Sequence, residues 1–318
     1  MEQQGRLSIN FPMRKIFTFG ETILDIIFEG HDPVAARPGG AMLNTAVSLG
    51  RTGLPVFLIS EITHDIAGGW IIDFLKQNDV NTQFLQLYEN GKTPVSIASL
   101  DDKGEASYNF YKNYPEKRLN DLFPVIEQGD IVLFGSFYSI TLSIRKMVKD
   151  FIFRSKEAGA MIIYDPNIRK NHAQDVKELM PAFEENLSFA DIVRASRDDL
   201  FNIFETRSEK DWMDRIGKFC RNLIITQGSN NVILSNNDGI TEIPVKKIEP
   251  VSTIGAGDNF NAGLIYGLFK NNITRKDLDS VSAETWREII GTASEFANDT
   301  CLSFDNYVSI EFANKYHG

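Results

Sequence analysis

DIVLFGSFYSITLSIRKMVKDFIFRSKEAGAMIIYDP, residues 130–166, decides the fold class. It opens on the short apolar run Ile131 to Phe134. It then carries Ile144, Met147, Val148, Phe151 and Ile152 at helical spacing, with Gly159 as a C-terminal stop, and closes on a second apolar run, Met161 to Tyr164. A strand, a helix and a strand in that order predict two parallel strands joined by a crossover. Downstream the rhythm continues: a helix over about Gln174 to Glu185, the strand "DIVRA", a helix through Trp212, Ile216 and Phe219, the strand "NLIITQG", and "NVILSN" turning through Asn237-Asp238-Gly239. The expectation is an α/β fold with a largely parallel sheet, helices on both faces, and ligands at the carboxyl ends of the strands.

Two stretches break the rhythm. Thr93 to Lys112 alternates polar and apolar residues around Asp102-Lys103-Gly104, a hairpin pattern. Leu24 to Gly40 leaves a strand and wanders through Pro33 and Pro38 before a glycine pair. Together they predict a small β lid, with segments near 24–38 and 88–114, over one end of the sheet.

Composition bounds the function. The 318 residues allow one large α/β domain or two ordinary ones, and 42% hydrophobic with 24% charged residues reads as an ordinary soluble globular protein. A formal charge of −10 argues against nucleic acid or an anionic membrane as partner, so any bound phosphate must be met locally. Cys220 and Cys301 sit in no C-x-x-C, which leaves neither a metal motif nor a disulfide framework and fits the reduced cytoplasm. The apolar runs are strand-sized, far short of the roughly 20 residues of a spanning helix. Residues 1–12 lack the pattern of a signal peptide and are expected to be a disordered leader, with folding beginning at Met13.

The chemistry concentrates in "STIGAGDNF", Ser252 to Phe260. Gly255-Ala256-Gly257 precede a helical pattern carried by Phe260, Leu264, Ile265, Leu268 and Phe269, so the glycines fall at a helix start, where unpaired N–H groups and the dipole attract anions. Asp258 is either functional or simply a first-turn acid that gains roughly 0.3–1 kcal/mol from the dipole. The segment lacks the third glycine of a dinucleotide fingerprint, having Phe260 there, and Gly91-Lys92-Thr93 lacks the first glycine and the helix of a P-loop.

With these residues assembled, the chain resembles the PfkB (ribokinase-like) family of ATP-dependent sugar kinases, its bacterial fructokinase-like branch in particular. "GETILDIIF", "PGGAMLNTAVSLGRTG", "DPNIRK", "ITQGSNNVIL" and "STIGAGDNFNAG" match the family's segments in order. The resemblance implies a ribokinase-like three-layer sandwich with a mostly parallel sheet and a small β-sheet lid. It also implies that Asp258 accepts the proton of the attacking hydroxyl and that the backbone of Gly255, Ala256 and Gly257 forms an anion hole. Asp25, Gly39, Gly40 and Asn44 would contact the sugar, Thr226, Gly228 and Asn298 the nucleotide, and Arg169 the phosphate charge. Read without the resemblance, Asp25 is alternatively a strand-end turn acid and Asn44 equally a helix cap, whereas Arg169, which follows a strand's C-terminal end, is read as meeting phosphate charge in preference to pairing with a surface acid. ATP is expected as its Mg²⁺ complex.

The chain departs from the family at three places. Ser252 replaces the aspartate that commonly helps hold a monovalent cation, which puts K⁺ activation in doubt. The family's N-x-x-E appears as Ser196-Arg197-Asp198-Asp199, where Asp199 either reaches the metal through water or is an acidic helix start. "EFANDTCLSF" covers the region that lines the adenine site in relatives, and Cys301 there reads as packing. Fructose is the first substrate expectation, with 2-keto-3-deoxygluconate, ribose, a nucleoside or a sugar phosphate as alternatives. An acidic acceptor would call on Arg37, Lys112, Lys117 and Arg118, which otherwise are solvated surface charges. The competing classes are a catalytically silent sugar- or nucleotide-binding relative and an NAD-dependent oxidoreductase. An apolar lid face needs covering, which predicts a homodimer through the lid.

Overall fold

The computed structural model describes residues 14–100, 106–119, 122–168 and 173–317. The leader, Arg169 and the Asp102-Lys103-Gly104 turn lie outside the described residues. The chain enters at β1 (Ile16–Phe19), makes the hairpin β2 (Ile23–Glu29) and β3 (Asp32–Gly39), and continues through α1 (Ala41–Arg51), β4 (Val56–Thr63), α2 (Ile66–Gln77) and β5 (Leu85–Tyr88). A second hairpin, β6 (Lys92–Leu100) and β7 (Ala106–Asn113), precedes β8 (Ile131–Gly135), α3 (Arg145–Glu157), β9 (Met161–Asp165), α4 (Ala173–Phe189) and β10 (Ile192–Ser196). Then come α5 (Arg197–Phe204), α6 (Glu209–Ile216), β11 (Asn222–Thr226), β12 (Val232–Asn236) and β13 (Gly239–Ile243), followed by α7 (Ala256–Lys270), α8 (Ala283–Cys301) and α9 (Ile310–Asn314).

Nine strands form the central sheet in the order β13-β12-β11-β10-β9-β8-β1-β4-β5. All neighbours are parallel except β11 with β12 and β12 with β13. Both faces of β8 and β9 are buried, which is why they read as continuous apolar runs. The pleat splits their side chains between two cores: Ile131 and Leu133 join the cluster of Leu43, Leu264 and Phe296, while Val132 and Phe134 join Phe151, Phe183 and Trp212. Each such buried side chain contributes roughly 1.5–3 kcal/mol relative to exposure.

The other four strands form a separate sheet in the order β3-β2-β6-β7. Residues 32–39, read from sequence as a wandering segment, are an outer strand antiparallel to β2, with a register shift at Ile27/Phe28 opposite Pro33. Proline lacks a ladder donor, and an outer strand is where a sheet tolerates it. In the main sheet β1 lies between β4 and β8, so the order of strands reverses there. The crevice beyond Phe19 and Gly135 is therefore where a ligand belongs. Among the described residues no helix is long and apolar enough to cross a membrane.

Candidate active site

Two cavities open at the carboxyl ends of the strands. One, of about 560 Å³, runs over β10, β11 and the start of α7, with Arg194, Ser196, Asp199, Thr226, Gly228 and Asn298 in its wall. The other, of about 120 Å³, lies between the main sheet and the lid and is lined by Glu21, Asp25, Asn44, Lys112, Tyr138 and Asn306, among others. Asp258, Gly255, Ile254 and Asn167 line both. Asp258 is only 7% exposed. Its Oδ2 accepts from Asn44 Nδ2 at 2.7 Å, its Oδ1 from Asn167 Nδ2 at 3.4 Å, and its backbone carbonyl from Thr45 Oγ1 at 2.8 Å. An acid that merely capped its own helix would need none of these distant partners.

The two glycines of the turn have different causes. Gly255 is the α7 N-cap at φ 77°, and a Cβ there would stand 2.8 Å from the Asn306 carbonyl. Gly257 has an ordinary φ, but a Cβ there would lie 2.7 Å from a guanidinium nitrogen of Arg194. No side chain caps α7, which suits an anion, although the Ala256 N–H already donates to the Thr253 carbonyl at 3.3 Å. The glycine pair before α1 follows the same logic: a Cβ at Gly39 would run into Asp25 Oδ2, and one at Gly40, φ 116°, into the Glu21 carbonyl.

The smaller cavity is ringed by charge. Asp25, the third residue of β2, accepts from Ser96 Oγ of β6. Glu21 accepts from Lys112 Nζ and from Tyr114 OH, both at 2.6 Å. In the larger cavity Val232, Val245, Ile248, Ala297 and Cys301 give an apolar wall, and Asn298 Nδ2 donates to the Lys246 carbonyl at 3.2 Å. Asp199 closes a capping box with Ser196, its Oδ2 accepting from the Ser196 amide at 2.8 Å and hydroxyl at 2.6 Å. Burial, and then the nearby Asp165 carboxylate, push Asp199 up to about 6.

Comparison with known proteins agrees with this geometry. The sequence matches the pfkB family carbohydrate kinase domain over residues 13–297. The chain is a PfkB family carbohydrate kinase. It is 28% identical to the fructokinase of Vibrio alginolyticus, covering 80% of this chain and 83% of that protein. It is also 26% identical to the aminoimidazole riboside kinase of Salmonella typhimurium, covering 82% of each. Among solved structures, fructokinase from Vibrio cholerae O395 in its fructose-, ADP- and calcium-bound form superposes with a TM-score of 0.83 at 22% identity, covering 96% of this chain and 99% of that one. The fold is thus the ribokinase-like α/β sandwich with its small separate sheet, and the protein is a sugar phosphotransferase of an ATP-dependent family.

Within the kinase, the structure brings Asp25, Gly40 and Asn44 to one cavity, Thr226, Gly228, Asn298 and Asp199 to the other, and Asp258 to their junction. Gly39 stands behind Asp25 and lines neither. Asn44 is no cap: Gly40 is the N-cap of α1, and Asn44 lies four residues inside. Arg118 is not a solvated surface charge, because it is buried against Glu61 at 2.6 Å. Arg37 pairs with Asp305 at 2.6 Å, and Lys117 is exposed and lines neither cavity. Ser252 lines neither cavity, its hydroxyl accepting from the Ile254 amide at 3.2 Å. Sequence reasoning missed Glu21, Asn306 and Arg194. Glu21 follows the end of β1 by two residues, a position that would have flagged it.

Proposed function

We propose that the kinase transfers the γ-phosphate of ATP to a hydroxyl of a small neutral sugar, with fructose the leading acceptor. The observation that carries this reading is Asp258, one carboxylate lining both cavities and held by Asn44 from the acceptor side. In this reading ATP occupies the larger cavity with its terminal phosphate at the α7 N-terminus. The sugar occupies the smaller one, its hydroxyls meeting Asp25 and Asn44, whose Oδ1 is buried without a hydrogen-bond partner. Asp258 takes the hydroxyl proton late, as attack on phosphorus acidifies it. Positioning and charge neutralisation supply most of the acceleration.

The electrostatics of the acceptor cavity support a neutral substrate. Asp25, Glu21 and Asp258 face it with Lys112, which already pairs with Glu21. A ketoaldonate or phosphosugar would enter a net negative site. A nucleoside is the alternative neutral acceptor, since an aminoimidazole riboside kinase is among the relatives.

Mg²⁺ fits as the nucleotide's own metal. Among the described residues no three His, Cys, Asp or Glu gather to hold an ion, whereas Asp199 in the nucleotide cavity offers an oxygen donor through water. The ion would neutralise phosphate charge. The Ser252 hydroxyl, engaged with its own turn, supports turnover without K⁺. The two thiols, both free, suit a reducing cytoplasm. A homodimer through the lid is supported by the outer strands β3 and β7, each with an unpaired edge in the described sheet, and by Val34 and Tyr111, 54% and 59% exposed. Light scattering at micromolar concentration reports it, and a monomer contradicts it.

The reaction is tested by ADP release over a panel of sugars, ketoaldonates, nucleosides and phosphosugars, in K⁺ and in Na⁺ buffers. Fructose is expected to give the highest kcat/KM, with no preference for K⁺. Absence of turnover with every acceptor would contradict the reading and favour a silent binding protein.

A further inference from the structure

Glycine amides carry only partial charge, and two carboxylates, Asp199 and Asp258, line the cavity in which the phosphates would arrive. A full positive charge sits there too. Arg194 occupies the middle of β10, an otherwise uncharged strand, is 5% exposed, and lines the larger cavity. A guanidinium so deeply buried costs several kcal/mol unless its donors are met. One terminal nitrogen reaches Asp165 Oδ2 at 3.2 Å, long for a charge-assisted bond, and the other donates to Thr226 Oγ1 at 2.6 Å. The guanidinium carbon lies 5.4 Å from the centroid of the Phe260 ring, and Nε is buried without a partner.

The first turn of α7 is shaped around this group. All three atoms of the guanidinium tip, both terminal nitrogens and the carbon, would lie within 3.3 Å of a Cβ at position 257. Glycine there admits the arginine to the helix start. Structural pairing with Asp165 alone explains neither the unpartnered donor nor the contact with the turn. We propose that Arg194 is a phosphate-binding residue of the kinase: its guanidinium, held by Asp165 and Thr226, donates to phosphate oxygens of the nucleotide at the α7 N-terminus and supplies the charge that the glycine amides lack. This rests on the nucleotide cavity assigned above and not on the identity of the sugar.

The test needs no acceptor. Adenosine, Mg·ATP and tripolyphosphate are titrated by calorimetry into the wild-type protein, Arg194→Gln and Arg194→Lys, with thermal unfolding of each. Arg194→Gln is expected to bind adenosine as the wild type does and to lose about 10–100-fold in affinity for ATP and tripolyphosphate, the worth of a hydrogen bond to a charged group. Arg194→Lys, which keeps the charge and loses the fork, is expected to fall between the two. Wild-type affinity for ATP in Arg194→Gln overturns the proposal, as does an equal loss for adenosine and ATP, the mark of a residue that only supports the wall. Should Arg194→Gln fail to fold, the lysine variant decides alone: unchanged ATP affinity overturns the proposal, and a loss confined to the phosphate-bearing ligands supports it. A wild-type protein that phosphorylates no sugar yet shows these differences would break the proposed reaction and leave this inference standing.

Discussion

The two cavities that share Asp258 are built by different means. The larger is assembled from consecutive strand ends, β10 and β11, from the starts of α5 and α7 and from α8, with Arg194 and Asp199 beside an apolar wall. The smaller is assembled from side chains that belong to two separate sheets and a helix: Glu21 beyond β1, Asp25 on β2, Lys112 on β7 and Asn44 on α1. In the proposed reading a nucleotide, with its apolar base and anionic tail, meets an apolar slot that ends at the α7 N-terminus beside Arg194. A polyol presents only hydroxyls, so its site needs several aimed polar groups, and the lid supplies part of them.

That difference can be broken residue by residue. The largest effect is expected at the junction: Asp258→Asn lowers kcat by at least about 100-fold, as loss of a general base should. The equilibrium affinities for ATP and sugar, read by calorimetry on the same sample, stay near wild type. Next, Asp25→Ala removes acceptor hydrogen bonds and raises the KM for sugar by about 10–100-fold, with KM for ATP unchanged. Equal shifts in both KM values would mean that the cavities are not separate. Gly39→Ala acts on the same group indirectly. The added methyl displaces the Asp25 carboxylate, and the sugar KM rises by about 10-fold, or roughly 1.4 kcal/mol.

The last effect concerns stability rather than turnover. Asp199 titrates near 6 in the folded protein, above the ordinary carboxylate value of about 3.9. The folded state therefore holds this proton more tightly than the unfolded chain. Its stabilising contribution is complete below about pH 4 and is lost as pH rises through about 6. Asp199→Asn, neutral throughout, is expected to flatten that slope in urea unfolding between these limits. An unchanged slope would mean that burial leaves Asp199 an ordinary acid.

How much of this was legible in the sequence follows the same division. Local periodicity exposed β8, α3 and β9, since both their burial and their punctuation lie within 37 residues of chain. The strand β3 was hidden because Pro33 and Pro38 read as breakers unless it is known that the strand lies at an edge. On the nucleotide side the contiguous Gly255 to Asp258 segment announced a helix start. On the acceptor side the decisive contacts join residues far apart, Asn44 with Asp258 across 214 positions and Lys112 with Glu21 across 91, and no local pattern encodes such pairs. Arg194 was invisible for another reason: one charge in a strand is ordinarily a pairing residue, and its close approach to Gly257 exists only in the folded chain.

The central claim is that the two cavities are separate halves of one site, filled at the same time on either side of Asp258. The direct measurement is calorimetric titration of the sugar that drives turnover into the wild-type protein, alone and saturated with Mg²⁺ and a non-hydrolysable ATP analogue. One sugar per chain is expected in both titrations, with affinity equal or tighter when the nucleotide is present. Mutually exclusive binding of sugar and nucleotide would contradict it.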